Sequence, residues 1–68
     1  MTTKPNTDLG LRLREARRKA RLTQAEAGAR AGVGQGRFSE YETGATTPDI
    51  KTLRRLAAAL RVSLCRLL

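Results

Sequence analysis

Apolar side chains recur at helical spacing almost from end to end of this chain. Leu9, Leu13, Ala16 and Ala20 fall at steps of four, three and four, a single stripe on a helix predicted over about residues 8–20. Thr23-Gln-Ala-Glu26 has the form of a capping box, with Leu22 placed before it to pack inward. A second helix is therefore expected from Gln24 to about Ala31, ended by Gly32 in a left-handed turn. A third fits Gln35 to Thr43, with Gly44 as its C-cap. If Phe38 faces inward, Tyr41 and Glu42 share its face while Gly36 and Glu40 point away. Asp49 caps a fourth helix over about 50–60, whose buried face is Ile50, Leu53, Leu56, Ala57 and Leu60. Ser63 can cap a last short helix, Leu64 to Leu68. β-branched residues are sparse and never alternate, so the expected class is all-α: a compact five-helix bundle over residues 8–68 behind a polar, flexible tail at 1–7.

Composition narrows what such a bundle can do. Sixty-eight residues allow one small domain with a marginal core. There is one cysteine and no histidine, so neither a disulfide nor a tetrahedral zinc site is available, and Cys65 has no imidazole to activate it. These counts argue against an enzyme and against a cofactor or metal. The single cysteine and the absence of an apolar N-terminal stretch point to the cytoplasm, with no membrane partner. Fourteen Lys+Arg against six Asp+Glu give a net charge of +8, and eleven of the cations are arginine. The forked guanidinium suits phosphate and guanine, so a nucleic acid is the expected partner.

Within Gln24–Thr43 the two middle helices meet at a tight glycine turn. Gly28, Gly32, Val33, Phe38 and Tyr41 occupy the positions where a helix-turn-helix has steric demands: a close approach, a turn and a packed wedge. Four stretches carry a wider pattern. Leu22-Thr-Gln-Ala-Glu-Ala-Gly-Ala-Arg-Ala-Gly-Val33 is followed by Phe38-Ser-Glu-Tyr-Glu-Thr-Gly44. Pro48-Asp-Ile-Lys-Thr-Leu53 and Leu56-Ala-Ala-Ala-Leu-Arg-Val-Ser63 then complete the pattern. Over about residues 9–68 the chain resembles the Xre/Cro-type, lambda-repressor-like helix-turn-helix family of phage repressors and bacterial regulators.

The resemblance implies a five-helix DNA-binding domain acting as a homodimer on an inverted repeat, with the third helix in the major groove. It implies that Gln24 touches phosphate and buttresses Gln35, which reads a base, and that Arg17 and Glu42 form an ion pair between helices 1 and 3. On chemistry alone, Arg37 has the fork for guanine O6/N7, Gln35 can bridge adenine N6/N7 and Glu40 can accept from cytosine N4. Gly36 lets the backbone approach the groove floor. The expected phosphate contacts are Thr23, Gln24, Ser39, Thr43, Thr46 and Thr47. Gly34 stands where the family usually has a Ser or Thr cap, and Gly36 is unfavourable inside a helix, so the recognition helix is expected to be weakly capped.

The expected function is thus a sequence-specific transcriptional regulator, a repressor. The alternatives from the same fold are a restriction-modification controller and an antitoxin, the latter disfavoured because the chain lacks an extension to wrap a toxin. A non-specific RNA binder would need stacking aromatics, and Phe38 and Tyr41 point inward. Gly32-x-Gly34-x-Gly36 imitates a nucleotide loop but has no strand before it and no lysine at phosphate-binding spacing, so no small-molecule ligand is expected. Val62, Leu64, Cys65, Leu67 and Leu68 crowd the last seven residues, and Leu64, Leu67 and Leu68 are the expected dimer contacts.

Overall fold

The computed structural model describes residues 5–67, with side chains from Leu9 onward. Five helices follow in order: α1 Pro5–Lys19, α2 Gln24–Ala31, α3 Gln35–Thr43, α4 Ile50–Leu60 and α5 Leu64–Leu67. The first begins three residues before the expected Asp8, at a proline whose missing amide and fixed φ suit the first helical turn. The part of the predicted tail before Pro5, and the predicted dimer contact Leu68, lie outside the described residues. No helix among the described residues is long and apolar enough to cross a membrane.

Local chemistry sets the helix ends. The Thr23 hydroxyl accepts the Glu26 amide at 3.1 Å while the Glu26 carboxylate accepts the Thr23 amide at 2.8 Å, a closed capping box. Asp49 caps α4 through the Thr52 amide at 2.8 Å. α3 has Gly34 at its N-cap and no side-chain cap. The C-terminal ends of α1 to α4 share one backbone motif, in which a left-handed residue and its successor return two amides to the last turn. Gly32 and Gly44 supply that residue as expected; Arg21 and Arg61 supply it for α1 and α4, at φ 60° and 58°.

The core is built on Leu13, Phe38, Leu56 and Leu67, all fully buried, with Ala27, Ala31, Tyr41, Leu53 and Leu60 around them. α3 packs on α1 and α2, α4 packs on α2, and α5 closes the end against α1 and α4. Three expected apolar positions fall elsewhere. Ala20 is exposed, because α1 stops at Lys19 and the chain turns there. Ile50 is 52% exposed: it lies at the edge of the α4 stripe in the first turn, and Pro48 takes the buried place beside it. Leu67, expected at a dimer interface, is 1% exposed and belongs to the protein's own core. With so few large apolar residues elsewhere, α5 serves as the bundle's lid, and Leu64 packs half-buried beside it.

Candidate nucleic-acid interface

α2 and α3 are held at a fixed angle by the turn between them. The Val33 amide donates to the Gly28 carbonyl at 2.8 Å, and a Cβ at Gly28 would lie 2.9 Å from the Val33 carbonyl oxygen. The turn itself, more than the neighbouring helix, therefore demands glycine at 28. Arg55 of α4 clamps the same corner from outside, its Nε donating to the Ala31 carbonyl at 3.0 Å and its Nη2 to the Gly32 carbonyl at 3.1 Å. A cation on the carbonyl end of α2 also answers the helix dipole. Nothing in the periodicity marked Arg55, which lies off the buried stripe.

Behind α3 sits a buried charge. The Glu42 side chain is fully inaccessible, yet it is well supplied with donors. Arg17 Nε donates to its Oε2 at 2.7 Å, Gln24 Nε2 donates to Oε1 at 2.8 Å, and Arg14 Nε stands 3.8 Å from Oε1. Arg17 Nη1 donates onward to the Leu22 carbonyl at 3.0 Å, which ties the end of α1 to the start of α2. The residues paired by resemblance, Arg17 and Glu42, are thus in contact. Gln24 is drawn into the same cluster, which leaves one of its amide hydrogens for another acceptor. Arg14, which lies off the apolar stripe of α1, is partly committed here as well. α1 can come this close because residue 10 is glycine: a Cβ there would overlap the Glu42 carbonyl oxygen and lie 2.8 Å from that of Tyr41. The only sequence signal for Gly10 was its presence inside a helix, which needs a packing reason.

The opposite edge of α3 faces solvent. Gln35, Gly36, Arg37, Glu40 and Thr43 are exposed, and Ser39 is half-buried on the flank. A Cβ at Gly36 would meet nothing within 4 Å, so that face is open right down to the backbone. Arg37 Nε lies 3.4 Å from Glu40 Oε1, with both side chains at least half exposed. Such a pair contributes about 0–1 kcal/mol, little enough for base edges to replace it. Hydroxyl donors divide by what already occupies them. Thr46 donates to Glu40 Oε1 and Thr43 to the Glu40 carbonyl, both at 3.2 Å. A phosphate, which only accepts, must displace those bonds. The Thr23 hydroxyl accepts within its capping box and keeps its own hydrogen available; Thr47 is exposed. Because no side chain caps α3, the amides of its first turn also remain available, at the positive end of the helix dipole.

Known proteins share this arrangement. A family described as a helix-turn-helix domain matches residues 8–67. The chain is 44% identical over 55 residues to the HTH-type transcriptional regulator ImmR of Bacillus subtilis (strain 168), a match covering 81% of this chain and 43% of that protein. It thus spans less than half the length of that curated relative. Among solved structures, the restriction-modification controller protein C.AhdI from Aeromonas hydrophila superposes with a TM-score of 0.88 at 26% identity, covering 91% of this chain and 94% of that one. The P22 c2 repressor, solved in complex with a synthetic operator, gives 0.82 at 35% identity over 88% and 91%. With the family match spanning nearly all of the five-helix domain, the chain belongs to the Xre/Cro-type, lambda-repressor-like helix-turn-helix family.

Proposed function

We propose that this protein is a sequence-specific, double-stranded-DNA-binding transcriptional regulator, a cytoplasmic repressor that lays α3 in the major groove of an inverted-repeat operator. One observation carries the reading most. α3 is buried along Phe38, Tyr41 and Glu42, while Gln35, Gly36, Arg37 and Glu40 stand open on the other edge, on a chain of net charge +8. That edge offers the forked donor, the amide and the carboxylate that read guanine, adenine and cytosine. Thr23, Gln24, Ser39, Thr43, Thr46 and Thr47 flank it as phosphate contacts, Thr43 and Thr46 after exchanging their present acceptors. The names of the relatives, a transcriptional regulator and an operator-bound repressor, support the same reading.

Two copies on one inverted repeat complete the proposal. Leu67 is committed to the core, so the contact between copies falls to half-buried Leu64 and exposed Cys65. Binding should weaken steeply with salt: about six to ten neutralised phosphates cost roughly 10³–10⁵ in affinity between about 50 and 200 mM. Arg37→Ala should cost about 1–3 kcal/mol and relax preference at one base pair per half-site. A salt-independent affinity counts against DNA as the partner, and an equal loss on all sequences makes Arg37 a phosphate contact. Control of a restriction-modification pair is the second reading, supported by the name of one structural relative, a restriction-modification controller protein. A methyltransferase gene beside this one would decide for it.

A further inference from the structure

A groove runs along the flank of α1 that faces away from α3. At about 100° per residue, Arg12 and Lys19 lie roughly 160° and 180° around the helix from Gly10, the residue pressed against α3. Two adjoining clefts of about 210 and 500 Å³ share Ala16, Lys19 and Val62. The accessible part of their floor is apolar, with exposed Ala20 and half-buried Ala59 and Val62. The rim carries five cations, Arg12, Lys19, Arg30, Arg61 and Arg66, and one carboxylate, Glu15. All five cations are exposed, and none has an ion-pair partner among the described residues.

Part of that charge answers the carbonyl ends of α1, α2 and α4. Each helix end carries about half a negative charge, and Glu15 adds a full one. An excess of roughly two to three positive charges remains around an apolar strip.

We propose that this groove docks an acidic amphipathic segment of a partner protein, its aliphatic or aromatic side chains on the strip and its carboxylates on the rim. Charge complementarity selects this occupant over the others. A second copy of the chain, meeting the groove about a two-fold axis, would set five cations against the same five. No segment of the chain itself can answer the rim: its six acidic residues are nowhere adjacent, Glu42 is buried, and Glu26 and Asp49 serve as caps. A nucleic-acid backbone would satisfy the rim but gains nothing from the apolar strip, and Glu15 repels it. The groove lies on the far flank of α1 from α3, so such a partner and DNA can be held together.

The probe is a fluorescein-labelled synthetic peptide with Glu on one helical face and Leu and Phe on the other, titrated with the full chain. Binding is read by anisotropy and mapped by amide chemical shifts. The expected result is saturable binding with shifts in α1, the end of α4 and α5. Replacing Leu and Phe by Ser in the peptide should weaken binding about tenfold, and so should Lys19→Glu with Arg66→Glu, both at exposed positions. Excess duplex DNA should leave the peptide bound. If either substitution lowers the unfolding midpoint, Arg12→Glu takes its place. Shifts centred on α2 and α3, displacement of the peptide by duplex, or equal binding of the Ser peptide would each overturn the proposal. The direct peptide titrations contain no DNA, so a protein that bound peptide but no operator would keep this inference and lose the reading of α3.

Discussion

Removing Arg17 should cost the fold far more than removing any exposed cation, although it relieves a crowded positive charge. Arg17→Ala takes away the 2.7 Å bond to Glu42 Oε2 and the 3.0 Å bond to the Leu22 carbonyl. It leaves a carboxylate whose side chain is completely inaccessible. Breaking a buried pair from one side costs about 3–5 kcal/mol. One donor and one nearby cation remain at Oε1, Gln24 at 2.8 Å and Arg14 at 3.8 Å, which favours the lower end, about 3 kcal/mol. A domain of this size is stable by only about 3–10 kcal/mol in total, so the variant stands near the edge of folding. With a urea m-value of about 1 kcal/mol per molar, the midpoint should fall by about 3 M, followed by far-UV circular dichroism. Replacing both partners, Arg17→Met with Glu42→Leu, should recover much of the loss, because no unpaired charge is then buried. An unfolding midpoint in Arg17→Ala equal to the parent's would refute the reasoning: Glu42 would then have found other solvation, and the cluster would not hold α3 to α1.

The remaining predictions concern glycines, the turn clamp and acid. Gly10→Ala should destabilise by about 1–3 kcal/mol, since its Cβ runs into rigid α3 backbone. Gly36→Ala, which meets nothing, should raise stability by up to ~1 kcal/mol. If α3 backbone sits on the groove floor, that same stabilised variant loses operator affinity; unchanged affinity would move residue 36 away from the DNA. Arg55→Ala should cost about 1.5–3 kcal/mol by freeing the Ala31 and Gly32 carbonyls, read as a lower thermal midpoint. The Thr23 amide, with its hydroxyl, holds the Glu26 carboxyl below its ordinary value, and the Thr52 amide does the same for Asp49. Folded values below the unfolded ones mean that both caps stabilise fully above the ordinary carboxylate range and lose that contribution as pH falls through the folded values. The midpoint should therefore drop in acid, and Asp49→Asn should flatten the decline; an identical decline in that variant counts against the cap.

What lies within one or two turns of helix was legible before any coordinates. The capping box at Thr23 and Glu26, the Asp49 cap, the glycine stops at 32 and 44 and the inward face of Phe38, Tyr41 and Glu42 all follow from spacing and backbone chemistry. The outward edge of α3 follows from the same count, so the candidate DNA-reading residues could be named from the pattern of that one helix. Arg21 and Arg61 were not readable as helix stops, because neither has the freedom that makes a glycine a signal. They take the left-handed conformation because the chain must turn there to bring α2 and α5 onto the core.

Whatever depends on how two helices cross came only with the fold. Ala20 and Ile50 continue their stripes on paper, but α1 ends before Ala20 and Ile50 sits at the edge of the α4 stripe. Gly10, Arg14, Gln24 and Arg55 acquire their roles from groups between 18 and 32 residues away in the chain. No periodicity of one helix specifies its contact with another at such separations. Leu67 shows the limit most directly. An apolar residue near a chain end suits a partner's surface or its own core equally well, and the choice rests on whether the bundle has a gap of that shape. Here α1 and α4 leave one, and filling it removes Leu67 from water without a second chain.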